Sequence, residues 1–151
     1  MEDGYTRRQV RLFLDFDGVL RRESSPKSRL DDDCVRNLER AVLSHPDARV
    51  VITSTWRLAQ SIQALRRLFP AELAVRIVGV TPDLPEAEEY PRHAEVRAYL
   101  ARRGARSTRW IAIDDDAGQY RPSAPLILVN AATGFDETCA QRLRDWLAQA
   151  R

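Results

Sequence analysis

Leu12-Phe13-Leu14-Asp15-Phe16-Asp17-Gly18-Val19-Leu20 is the stretch on which the reading of this chain turns. An apolar run, Val10 and then Leu12 to Leu14, stops at two carboxylates spaced i, i+2, and a glycine follows at once. The run is short, apolar and partly β-branched or aromatic, so it reads as a buried strand. A carboxylate at the end of such a strand is costly unless it is paired or binds a cation. Asp15 and Asp17 point the same way if the strand continues, by its two-residue period. If the chain curls instead, one side chain and one backbone carbonyl can reach the same ion. Gly18 permits that sharp departure. The local expectation is an oxygen-rich cation site with one carboxylate left free for chemistry. Asp-x-Asp-Gly is also a common turn signal. It is not an EF-hand loop, because Val19 stands at the fifth position and Gly18 comes too early for the invariant glycine.

Outward from this stretch, apolar runs alternate with helical patterns. Residues 1–8 are a polar lead-in and residues 9–14 form the first strand. Residues 20–30 are a polar loop. A helix begins near Asp31 to Asp33, whose carboxylates suit an N-cap and first turn. Its apolar face is Val35, Leu38 and Val42, and His45-Pro46-Asp47 ends it. The second strand, Arg49 to Thr53, runs into Ser54-Thr55-Trp56-Arg57. One helix is expected next, with Leu58, Ile62, Leu65 and Leu68 on one face. A third strand spans about 75–80, and a loop rich in proline and acid follows. A third helix runs from about Arg92 to Arg103 and stops at Gly104. The fourth strand, Trp110 to Ile113, runs into Asp114-Asp115-Asp116. The fifth is Leu126 to Val129, and a last helix carries Cys139, Leu143, Trp146 and Leu147. This alternation predicts an α/β, three-layer, Rossmann-like fold with a five-stranded parallel sheet and helices on both faces. One domain over residues 1–151 is expected.

The 151 residues are 44% hydrophobic and 30% charged, ordinary for a globular chain with a real core. No apolar stretch approaches a membrane span. The first residues lack the apolar segment of a signal peptide, so a cytoplasmic location without membrane attachment is expected. Cys34 and Cys139 lie far apart without Cys-x-x-Cys spacing and read as reduced structural residues. A net charge of +2 makes no bulk electrostatic case for nucleic acid. Lys27 is the sole lysine, so a site that needs a fixed cation has arginine to draw on.

Strands that run parallel place their C-terminal ends on one edge of the sheet. Three polar groups converge there: Asp15 with Asp17, Thr53 with Ser54, and Asp114 to Asp116. The hydroxyl pair opens a helix, whose first N–H groups also point outward. Carboxylates gathered around one point repel unless they share a cation. An all-oxygen set without His or Cys favours Mg²⁺. Mg²⁺ retains waters and pairs with phosphate oxygens, so a phosphate ester is the substrate class suggested.

Asp-Phe-Asp-Gly-Val-Leu, Val-Val-Ile-Thr-Ser-Thr-Trp-Arg and Trp-Ile-Ala-Ile-Asp-Asp-Asp resemble motifs I, II and IV of the haloacid dehalogenase (HAD) superfamily, in order and at strand ends. The resemblance covers nearly the whole chain. The Ser-Thr-Trp-Arg ending and the Arg92…Glu95 helix start are similar to a subgroup of small HAD domains associated with RNA-repair proteins. The resemblance implies that Asp15 is a nucleophile forming an aspartyl-phosphate. It implies that Asp17 protonates the leaving oxygen and then activates water, while its backbone carbonyl helps hold Mg²⁺. It further implies Mg²⁺ ligation by Asp15 and Asp114 with Asp115 supporting, and phosphoryl binding by Thr53 or Ser54. The family's third motif is usually a lysine before the helix that leads into the fourth strand. None stands here. Arg92 occupies that stretch and can neutralise phosphate bidentately, with Arg57 as second candidate. Asp116 reads as a loop residue, Trp56 and Trp110 as core, and His93 as a helix-start residue with substrate contact as its other role.

The gaps after the first and third motifs hold too little chain for an inserted cap, so the resemblance implies a capless, open site. Such a site admits a large substrate, a phosphorylated polynucleotide end or a phosphoprotein; a small phosphate ester such as a nucleotide fits if an oligomer neighbour closes the site. The loop bearing Arg21, Arg22, Lys27 and Arg29 follows the nucleophile strand and can either track a phosphate backbone or simply be a solvated charged loop. The leading expectation is a Mg²⁺-dependent phosphatase. The alternative is a non-catalytic phosphate-binding or interaction domain on the same fold. A phospho-accepting receiver domain fits less well, because it needs a lysine where the fifth strand ends in Val129-Asn130.

Overall fold

The computed structural model describes residues 9–85 and 89–149. The expectation for residues 1–8 lies outside the described residues, as does part of the loop before the third long helix. Strand β1 (Val10–Leu14) is flanked by β2 (Ala48–Ile52) and β4 (Arg109–Asp114), with β3 (Ile77–Val80) and β5 (Leu126–Leu128) at the two edges. All four pairings are parallel. The five-stranded α/β sheet is thus the one the alternation predicts. Val10 lies opposite both Ala48 and Arg109, and Leu14 opposite both Ile52 and Ile113. The apolar run at the start of the chain therefore occupies the middle of the sheet, paired on both sides.

The two-residue period of the strands sorts their side chains into two cores. Leu12, Leu14, Val50, Ile52, Ile111 and Ile113 face one way. They pack on helices α1 (Asp32–Leu43) and α5 (Glu137–Gln149), which supply Val35, Leu38, Leu143 and Leu147. Phe13, Val51 and Ala112 face the other way, against Val96, Tyr99 and Leu100 of α4 (Pro91–Arg102). That gives the three layers. From β1 the chain builds outward through β2 and β3, then crosses to the other side of β1 for β4 and β5. The order of strands reverses between β1 and β4, and in open α/β sheets the C-terminal ends at such a point are where ligands bind.

The single second helix expected from Leu58, Ile62, Leu65 and Leu68 is not what forms. Three short pieces replace it: a 3-10 turn (Thr55–Leu58), α2 (Ile62–Arg66) and α3 (Ala71–Ala74). Ser54 Oγ accepts from the Trp56 N–H and starts the turn. Ser61 Oγ accepts from the Ala64 N–H and starts α2, and Pro70 precedes α3. Leu58 is left 56% exposed, while Leu65 and Leu73 are buried. Hydroxyl-to-backbone bonds thus override the apolar spacing. Asp31 also departs from expectation. It takes the N-cap backbone position of α1 without capping it. Its carboxylate instead accepts from the Arg22 N–H (2.8 Å) and the Ser25 hydroxyl (2.9 Å), tying down the 20–30 loop. Cys34 and Cys139 are both buried free thiols.

Among the described residues no helix is long and apolar enough to cross a membrane.

Candidate active site

β1 ends at Leu14, and the next residue continues its backbone pairing: the Asp15 N–H donates to the Ile113 carbonyl at 3.1 Å. The chain then wraps around one carbonyl. Phe16 O accepts from the N–H groups of Val19, Leu20 and Arg21 at 2.8–3.1 Å. Gly18 sits in this turn at φ +82°, and a Cβ there would lie 2.2 Å from Asp115 Oδ2. The glycine therefore serves two ends, the left-handed backbone and the close approach of the Asp115 carboxylate.

Asp15, Asp114 and Asp115 each offer a carboxylate oxygen within 4.8 Å of the others. Asp15 and Asp114 are buried, 7% and 2% exposed. Asp114 Oδ1 accepts from the Asp116 N–H at 3.0 Å. Its Oδ2 is buried without a partner among the described residues. Burial pushes Asp15 up to about 7, and the charge of Arg92 offsets part of that rise. Burial and then the charge of Asp15 push Asp114 up to about 8. Crowded, desolvated carboxylates with a free oxygen are the chemistry of a hard-cation site. The donor set fits Mg²⁺ or a similar divalent ion.

Asp17 stands apart from that trio. Its carboxylate accepts from Arg21 Nε at 2.8 Å and from Trp56 Nε1 at 3.3 Å. Trp56 was read as core; it packs edge-on against Phe16, 5.3 Å between ring centroids, but its polar edge belongs to the site. No spacing rule would have found that contact, since 39 residues separate the pair.

The hydroxyl pair divides. Thr53 Oγ1 is buried with no partner among the described residues, whereas Ser54 Oγ is used by the Trp56 N–H. The two arginines divide as well. The Arg57 side chain is 2% exposed and donates to the carbonyls of Thr53, Ser54, Thr81 and Pro82 while pairing with Glu95 at 3.1 Å. Arg92 donates from Nη1 to the Thr53 carbonyl and to Glu95 Oε1, at 3.3 Å for the latter. Its charge acts on both Asp15 and Asp114. Arg92 is thus the cation beside the acidic trio, and Arg57 braces the loops behind it. Glu95, one helical turn after Arg92, holds both guanidiniums and also accepts from the Leu84 N–H. The i, i+3 spacing of Arg92 and Glu95 was its one signal in the sequence.

Residues 11–140 match the family described as the HAD domain in Swiss Army Knife RNA repair proteins. The chain belongs to this HAD domain family. No curated protein and no solved structure matches it. Its superfamily is one of phosphatase-like hydrolases. In this HAD domain the acidic ends of β1 and β4 come together at Asp15, Asp114 and Asp115, whereas Asp17, Ser54 and Arg57 are taken up by other partners. Two further residues stay out of the cluster. Asp116 caps the short turn at Ala117–Gln119, accepting from the Gly118 N–H at 2.9 Å. His93 is buried against Trp110 and Tyr120, and its Nδ1 accepts from the Arg121 N–H at 3.2 Å. Burial pushes its pKa down. Tyr120 was not anticipated: its hydroxyl is buried without a partner among the described residues, and the Asp114 charge acts on it.

Proposed function

We propose that this HAD domain is a Mg²⁺-dependent phosphatase acting on a phosphate monoester, with a nucleotide or a polynucleotide end as substrate. The observation that carries the reading is the trio of carboxylates, Asp15, Asp114 and Asp115, within 4.8 Å of one another. Such a trio beside a partly free guanidinium and an unpartnered Thr53 hydroxyl supports phosphoryl binding and transfer. Asp114 and Asp115 would hold Mg²⁺ together with one oxygen of Asp15 and the backbone carbonyl of Asp17. When bound, the ion would neutralise the carboxylates and draw charge from the transferring phosphoryl group.

The protein's own groups then have distinct tasks. Arg92 and Thr53 bind the phosphoryl oxygens. The free oxygen of Asp15 attacks phosphorus, a P–O bond to Asp15 forms, and the ester P–O bond breaks. Asp17 delivers a proton to the departing oxygen. In the second half a water attacks phosphorus and gives its proton to Asp17. The P–O bond to Asp15 breaks, inorganic phosphate leaves and both carboxyl groups return to their starting states. Arg21 and Trp56 aim Asp17 throughout.

The test is hydrolysis of an aryl phosphate with and without Mg²⁺. Turnover should require the ion and fall at least ~10³-fold in Asp15→Asn, with folding kept. Turnover that survives Asp15→Asn would remove Asp15 as nucleophile. No turnover of aryl phosphate, nucleotide or oligonucleotide would leave a phosphate-binding domain.

A further inference from the structure

The oxygen that Asp17 protonates is the one bonded to the rest of the substrate, so the leaving group must lie against Asp17 and its neighbours. Trp56 is one of them. Its Nε1 holds the Asp17 carboxylate, and the same side chain lines an open hollow of 380 Å³ with Lys27, Ser28, Thr55, Ala59 and Gln60. Ser28 also lines a second hollow, of 330 Å³, shared with Arg29, Arg36 and Leu68. The two hollows adjoin at Ser28 and are taken together as one groove, in which Trp56 is the residue that touches Asp17.

The charges in this groove differ from the other arginines of the same loop. Arg21 is bound to Asp17 and to the Ser25 carbonyl. Arg22 is bound to Asp31, Asp33 and the Thr133 carbonyl. Lys27, Arg29 and Arg36 have no ion pair among the described residues, and Asp32 is the single acidic residue along the groove. An aromatic wall beside the reacting end, followed by spaced, unpaired cations and hydroxyls, is the pattern that binds a single nucleic-acid strand through its bases and phosphates.

We propose that this groove is the leaving-strand site: it holds the nucleotides adjoining the terminal phosphate of a single-stranded polynucleotide, with Lys27 and Arg36 on backbone phosphates and Trp56 against the first base. The proposal rests on the phosphatase reading for its direction, because it takes Asp17 as the group facing the departing oxygen. The rival hollow, lined by Glu89, Tyr90, His93, Arg97 and Arg121, contains neither of the side chains bonded to Asp17, Arg21 and Trp56.

The experiment is fluorescence anisotropy with a labelled ten-nucleotide single strand bearing a terminal phosphate, 3′ in one arm and 5′ in the other. Asp15→Asn serves as host with Mg²⁺ present, so that no hydrolysis intervenes. Adding Lys27→Gln and Arg36→Gln should raise Kd at least tenfold and flatten the salt slope by about 1.4, two single-strand phosphate contacts. Arg97→Gln with Arg121→Gln should leave Kd within twofold. In the chain with Asp15 intact, Lys27→Gln and Arg36→Gln should leave aryl phosphate turnover unchanged. An unchanged Kd in the groove variant, a loss carried by Arg97 and Arg121, or equal competition by a phosphoserine peptide would overturn the proposal. Failure of the unmodified chain to turn over aryl phosphate, nucleotide and oligonucleotide alike would strike the phosphatase reading and with it the direction of the strand, while the anisotropy arm would still decide whether the groove binds it.

Discussion

Arg57 and Arg92 both pair with Glu95, yet truncating them should have opposite consequences. Arg57 is enclosed, and removing it takes one of its two guanidinium partners from buried Glu95 and a donor from each of four backbone carbonyls. Burial already presses its pKa down, so the charge is kept by these partners. Arg57→Ala should cost about 3–5 kcal/mol of stability. Arg92 is partly open and keeps guanidinium N–H groups for a ligand. Arg92→Ala should lower kcat/KM for an aryl phosphate by roughly 10²–10³-fold, with a smaller loss of stability. Urea unfolding beside steady-state kinetics separates the two. If Arg57→Ala stayed stable while losing turnover, and Arg92→Ala did the reverse, their roles would be exchanged.

At the scale of elements, what the sequence discloses depends on which bonds make the element. β1 was readable because Val10, Leu12, Phe13 and Leu14 are buried on both faces of a central strand, which leaves a continuous apolar run. The ends of β1, β2 and β4 were readable for the same reason: a carboxylate or hydroxyl interrupts each of those runs. The segment after β2 was not, because Ser54 and Ser61 turn the backbone with their own hydroxyls, and apolar periodicity is blind to that. Side chains that meet across the fold, such as Trp56 with Asp17, were equally hidden. The cap gives its own prediction. Ser61→Ala should cost about 1 kcal/mol, read by denaturant midpoint, and leave turnover unchanged, because the cap holds α2 and touches nothing at the site. A loss of activity without a loss of stability would mean that α2 positions Trp56.

For the whole molecule, the buried carboxylates couple folding to pH and to metal. Asp15 and Asp114 are raised to about 7 and about 8, against an ordinary value near 4 in the unfolded chain. Between about pH 4 and pH 8 the folded protein keeps protons that the unfolded chain has given up. Its stability without metal is therefore highest on the acid side of this window and falls as pH rises through it. Mg²⁺ should reverse that trend by binding the ionised form. The rise in Tm on adding Mg²⁺ should be much larger at pH 8 than at pH 5. Asp114→Asn should raise the metal-free Tm at pH 8 and shrink the Mg²⁺ effect. Equal Mg²⁺ effects at both pH values would show that the ion binds elsewhere.

The position of β1 also bears on how the chain is made. Val10 pairs with Ala48 on one side and with Arg109 on the other. The earliest of the five strands in the chain thus waits for the fourth before both its edges are covered. Until β4 emerges, the second hydrogen-bonding edge of β1 stays bare and offers a template for mispairing with other chains. The strand that leads into Asp15 is covered on both edges in the finished sheet and on one edge alone while the nascent chain waits for β4.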